Sequence, residues 1–236
     1  MISRLSFSLI VSVLMLLPMG VWGQDFAADL KKINERYGQI TEIDIKMSRR
    51  LYPNAKSSRP FMQESYELKQ QGALQHTRHG ELESLNNQKY LILVDHEDKN
   101  ISVQPSIDIQ GPFMSFPIPI DSLLPLYDSI QYTVLGKGLS KYILYISDFT
   151  YEKIELFFYP ANYLIQKAVF YSATEEQLDE GIPAAKARFE IQYERTRIKP
   201  DFPAGTFSEK KFIKVLNGKI SCSDSFKNYH LINYLP

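Results

Sequence analysis

Ile43, Ile45 and Met47 alternate with Asp44, Lys46 and Ser48, the two-residue period of a strand buried on one face, and this period returns in short segments along most of the chain. Met62, Tyr66 and Leu68 alternate with Gln63, Glu67 and Lys69, and Phe189, Ile191 and Tyr193 with Glu190, Gln192 and Glu194. Continuous apolar runs, Tyr90 to Val94 and Tyr142 to Ile146, also read as strands. Turn residues separate the segments: Glu97-Asp98-Lys99-Asn100 before Ile101 and Val103, Pro160-Ala161-Asn162 between Phe158 and Tyr163, and Asn217-Gly218 between Val215-Leu216 and Lys219-Ile220. Asn-Gly is a strong hairpin signal because a type I′ turn needs positive φ at both central residues. About ten strands joined by short loops are antiparallel neighbours rather than βαβ units. A sheet that wide curls into a barrel, a half-barrel or a sandwich, because flat open sheets of that width are unusual. The expected class is mainly β (α+β).

Two segments break the period. Phe26, Leu30, Ile33 and Tyr37 fall on one stripe of a helix, with Asp25 at its start and Gly38 just past its end as caps. A short second helix is expected over Asp121–Ile130, capped by Asp121 and shortened or kinked by Pro125. Before it, Pro112 to Ile120 holds three prolines among apolar side chains, so an apolar loop is expected there. Two roles suit it: plugging an open end of the sheet, or covering an apolar cavity as a lid.

Residues 1–23 read as a secretory signal: Arg4 is the basic n-region, Leu5 to Leu17 is apolar apart from serines, and Pro18 and Gly20 end the run. The run is too short to span a bilayer, which takes about 20 apolar residues. The expected mature chain starts at Gln24 after Val21-Trp22-Gly23, forms one domain over 24–236 and has no transmembrane segment. The lone cysteine, Cys222, lies far from that boundary, so it neither carries a lipid anchor nor makes a disulfide framework. It reads as a small buried hydrophobe. With 27 basic and 27 acidic residues in 236, and 26 against 27 once Arg4 is removed, neither nucleic acid nor an anionic membrane would attract the chain strongly.

The spacings of catalytic motifs are absent: H-E-x-x-H, G-x-S-x-G, C-x-x-C, G-x-x-x-x-G-K-[ST] and G-x-G-x-x-G do not occur. His76 and His79 lie on a strand-like stretch where residues three apart point to opposite faces, so they read as separate surface histidines rather than metal ligands. Glu81 and Glu83 share a strand face, and two carboxylates there read as solvated. No cofactor or metal is expected, and no enzyme.

The order of a helix ending in Tyr37-Gly38-Gln39-Ile40, an alternating strand, and then consecutive hairpins resembles the periplasmic outer-membrane lipoprotein carriers of the Lol system and their relatives (LolA-like). The resemblance includes Tyr90-Leu91-Ile92-Leu93-Val94-Asp95-His96-Glu97-Asp98-Lys99-Asn100-Ile101-Ser102-Val103. In that family a strand ending at an Asp-Gly-Lys-like turn leads into a second apolar strand. Lys153 to Pro160 with Tyr163 to Ala168 looks like a later hairpin of the family, and Phe202-Pro203-Ala204-Gly205-Thr206-Phe207-Ser208 like its closing segment. The likeness runs through most of 25–213, by pattern rather than by identical residues. It implies an unclosed antiparallel half-barrel with helices as a lid over an apolar cavity that shields acyl chains.

The expected function is therefore a soluble periplasmic carrier or sensor of a lipid, a lipoprotein acyl chain or another amphiphile. Ile43, Ile45, Met47, Tyr66 and Leu68 would line the concave wall, with Phe113, Met114 and Phe116 near the mouth. On that reading Met47→Asp abolishes ligand uptake more than it lowers stability. The alternative is a non-enzymatic envelope adaptor or structural module that binds another protein through a strand edge or the apolar loop.

Overall fold

The computed structural model describes residues 25–107, 127–147 and 149–235. Asp25 opens helix α1 (Phe26–Gly38): its carboxylate accepts from the Ala28 N–H at 3.2 Å, satisfying a donor that has no partner within the helix. The predicted stripe is the buried one, Phe26, Leu30, Ile33 and Tyr37, joined by Asp29. Gly38 is the last helical residue rather than the one beyond it, and Gln39 caps the end through its backbone N–H.

Two antiparallel meanders follow. The first is β1 (Glu42–Tyr52), β2 (Met62–Gln71), β3 (Leu74–His79), β4 (Leu82–Asn86), β5 (Tyr90–Asp95) and β6 (Asn100–Pro105). The second is β7 (Ser129–Leu135), β8 (Leu139–Tyr145), β9 (Tyr151–Tyr159), β10 (Leu164–Glu176) and β11 (Ala185–Ile198). β11 pairs antiparallel with β1 and fuses the meanders into one sheet. The chain closes with the hairpin β12 (Ile213–Leu216) and β13 (Lys219–Cys222), then β14 (His230–Asn233), which adds to β6 in parallel. The sheet has twelve strands in the order β14-β6-β5-β4-β3-β2-β1-β11-β10-β9-β8-β7. β14 and β7 have no pairing to each other, so the curled sheet is not closed into a barrel.

The turns follow their residues. Lys99 has φ 53° in the β5–β6 hairpin, where Asp95 Oδ1 accepts from the N–H groups of Glu97 and Asp98, each at 3.0 Å. Asn217 and Gly218, at φ 51° and 76°, make the two-residue turn between β12 and β13. The expected second helix meets the described residues only at its end: Ser129 and Ile130 begin β7, and 121–126 lie outside them.

α1 packs on one face of the β1–β2 and β8–β11 part of the sheet. Leu30, Ile33, Ile43, Ile45, Met47, Leu68, Tyr142, Phe158 and Phe170 form the fully buried centre of that core. Polar bonds fasten the helix as well. The Tyr142 hydroxyl donates to Asp29 Oδ2 at 2.9 Å, and the Ile165 N–H donates to the Tyr37 hydroxyl at 3.2 Å. Burial, together with the Asp29 carboxylate, raises the Tyr142 hydroxyl well above its ordinary pKa. Tyr142→Phe removes one donor from a buried carboxylate, so it lowers stability by about 1–3 kcal/mol, as urea unfolding will measure.

Candidate functional site

The β2–β6 pairings run without a register shift, so residues opposite one another share a face. Ile45 faces Leu68, Leu68 faces Thr77, Thr77 faces Ser84, Ser84 faces Leu93, and Leu93 faces Ser102. This single row crosses the sheet on the side that carries α1. The next residues along point the other way: Lys69, His76, Leu85, Ile92 and Val103 form a row on the opposite side.

The two rows meet different partners. On the opposite side, Leu85, Ile92, Val94, Ile101 and Val103 pack under the C-terminal segment through Phe212, Ile213 and Phe226. The molecule thus has two cores on opposite faces of one sheet: α1 covers the β1 half, and the C-terminal segment covers the β4–β6 half from behind. The α1 side of β3–β6 therefore has neither cover among the described residues. A groove of about 440 Å³ lies there, where Leu82 and Leu93 stand among polar residues that include Thr77, His79, Ser84 and Ser102. Leu82 is 54% exposed and Leu93 40%, and both line this one groove. Some polar groups in the groove pair with one another or with a neighbour: the Thr77 and Ser84 hydroxyls bond at 2.6 Å, and His79 Nε2 bonds Glu64 Oε2 at 3.0 Å.

Ile43, Ile45, Met47 and Leu68, expected on a ligand wall, are no more than 1% exposed and stand beneath α1. Tyr66 is half-buried at the boundary, with its ring 6.1 Å from the His79 ring, and burial raises its hydroxyl pKa. Leu68 joins the two regions, since its register partner Thr77 already belongs to the groove. Phe113, Met114 and Phe116 lie outside the described residues. The groove residues Leu82 and Leu93 were not singled out from the sequence. Leu93 sits in a continuous apolar run whose neighbours Ile92 and Val94 are core, so alternation carried no signal there.

His76 and His79 point to opposite faces as expected, but His76 is held rather than solvated. Glu83 lies beneath the C-terminal segment with its side chain 4% exposed. It accepts from His76 Nε2 at 2.6 Å, from His96 Nε2 at 3.1 Å and from Lys211. His96 Nδ1 in turn meets the Tyr229 hydroxyl at 2.9 Å. Burial raises the Glu83 pKa, and the donors with the Lys211 charge outweigh it, holding the carboxyl at about 2. The reading of a solvated Glu83 is corrected: Lys211 and Phe212 come from 128 residues along the chain and close over it. Cys222 is half-buried against the same core, its thiol raised by burial. Among the described residues no group of three His, Cys, Asp or Glu could hold a metal ion. No helix among them is long and apolar enough to cross a membrane.

A wide, unclosed sheet, antiparallel except for the parallel β14–β6 pair, with one helix on its face defines the architecture. The chain is remotely similar to the structure of a LolA superfamily protein from Nitrosomonas europaea, at 14% identity over 78% of this chain and 97% of that one, with a TM-score of 0.31. It is also similar to an uncharacterized conserved protein from Thermus thermophilus, at 8% identity over 88% and 98% and a TM-score of 0.41. A third similar structure is the Pseudomonas aeruginosa MucA/MucB complex, at 12% identity over 77% of this chain and 60% of that one, with a TM-score of 0.38. No protein-family model and no curated protein sequence matches the chain.

Proposed function

We propose that the protein is a periplasmic carrier or sensor whose ligand is the apolar chain of an amphiphile, a lipid or a lipoprotein acyl group, laid along the groove on the α1 side of β3–β6. One observation carries the reading: among the described residues, half of a sheet face that is otherwise core is left uncovered, with Leu82 and Leu93 open to solvent. At about 440 Å³ the groove falls in the range of small-molecule sites, which runs from about 300 to 1,000 Å³. Each methylene moved there from water contributes about 0.8 kcal/mol, so binding needs no catalytic group. Ile43, Ile45, Met47 and Leu68 form the inner end of the same face, filled by α1, and Tyr66 stands between the two. The N-terminal 23 residues, read as a secretory signal, support the periplasm as the compartment, and 24–236 as the mature domain.

Native mass spectrometry of the protein purified from its host's envelope without detergent is the direct test. A discrete added mass that extracts as a lipid supports the proposal, and a bare mass under conditions where a known lipid binder keeps its ligand defeats it. Leu93→Asp should lose at least about tenfold in affinity for that lipid, while stability moves by no more than about 0.5 kcal/mol, since the side chain is already partly in water. One observation favours the second reading, an envelope adaptor that binds protein: among the described residues β7 ends the sheet with no strand on its outer side.

A further inference from the structure

β7 is seven residues long, pairs with β8 without a register shift, and reads Ser-Ile-Gln-Tyr-Thr-Val-Leu with no charge and no proline. Edge strands are usually blunted by lysines, prolines, bulges or short length, because their outward N–H and C=O groups recruit other strands. The opposite edge follows the rule, with the four-residue β14 laid over β6. Among the described residues β7 has none of these protections, and its Val134 is 72% exposed.

We infer that the β7 edge pairs antiparallel with the β7 edge of a second copy, across a two-fold axis at Tyr132, joining two sheets into one. The second copy is favoured over another protein because β7 is complementary to itself. Centred on Tyr132, the pairing sets Ile130 opposite the partner's Val134, giving the exposed valine an apolar neighbour at each end of the strand. Gln131 falls opposite the partner's Thr133, both uncharged. The flanks complement in charge as well. Asp128 precedes β7 and Lys137 follows it in the turn to β8, both exposed, and the pairing brings each beside its opposite on the partner. An axis perpendicular to the sheet keeps faces matched, so both copies present α1 and the groove on the same side.

Sedimentation equilibrium of the full protein should give the mass of two chains at micromolar concentration. The double variant Gln131→Lys/Thr133→Lys sets like charges opposite each other across the axis and should raise the dissociation constant at least about tenfold, with an unchanged circular dichroism spectrum. Mixing it with Gln131→Glu/Thr133→Glu should restore a species of two chains, because lysines then face glutamates across the axis. Should the double variants fold poorly, Lys137→Glu, outside the strand, sets like charges beside each other and should weaken the dimer. A wild-type protein that stays at one chain overturns the inference, as does a Lys/Lys variant that stays dimeric. A mixture that fails to recombine overturns the register.

Discussion

Glu83→Ala lowers the free energy of unfolding by about 3 kcal/mol, the low end of what removing one partner of a buried ion pair costs. The carboxylate is the common acceptor for His76 from β3, His96 beyond β5 and Lys211 from the C-terminal segment, and its removal leaves both imidazoles facing a vacated apolar site. Lys211 is half-exposed and can turn to water, which keeps the loss from being larger. The effect depends on pH in a definite direction. The Glu83 pKa falls from its ordinary 4.5 to about 2 on folding, so the stabilisation is fully present above about 4.5 and is lost as pH falls toward 2. Of the charged and titratable groups on that face, His76, His96 and Lys211 bond Glu83, Tyr229 bonds His96 and Arg78 is its register partner, while Glu67 and Lys69 stand one strand further out, opposite Arg78 and His76. Glu83→Gln keeps a hydrogen-bonding side chain of the same size. It should lose less at neutral pH than Glu83→Ala, and its urea midpoint should fall less than that of the wild type between pH 4.5 and 2. Equal acid sensitivity in the two proteins would assign the acid response to other carboxylates.

Met47→Asp is expected to lose more than about 4 kcal/mol and to leave much of the protein unfolded at neutral pH. Met47 is fully buried on the sheet face beneath α1, among apolar side chains such as Ile45, Leu68 and Tyr193. The new carboxyl folds only in its protonated form, so the penalty grows as pH rises above the unfolded carboxyl's pKa, the reverse of the Glu83 dependence. Met47→Ala, which makes a cavity without a charge, should cost about 2–5 kcal/mol at any pH. The alternation of β1 put Met47 on a ligand wall, where a charge strikes uptake first. Burial under α1 makes stability the first loss, so the groove residue Leu93 is the better probe of ligand binding.

Local chemistry accounts for much of what was legible beforehand. Asp25 with the Phe26-Leu30-Ile33-Tyr37 stripe predicts α1, strict alternation predicts β1 and β11, and Asn217-Gly218 predicts the β12–β13 turn, because each signal lies within a few residues and reports a helix period, a strand period or a positive φ. The wide open antiparallel sheet follows from many such strands on short loops. A period of two says that one face of a strand is buried, and it is silent on what buries it. α1 covers the apolar residues of β1, while Phe212 and Phe226 cover those on the other face of β4–β5, where a continuous apolar run named no buried side. That choice also decides that Glu83 is enclosed rather than solvated, and that Leu82 and Leu93 stand open. Ile43, Ile45, Met47 and Leu68 were read as lining a cavity because apolar strand positions look the same whether a helix or a ligand fills the space above them. Residues distant along the chain settle that difference, through contacts that no local period encodes.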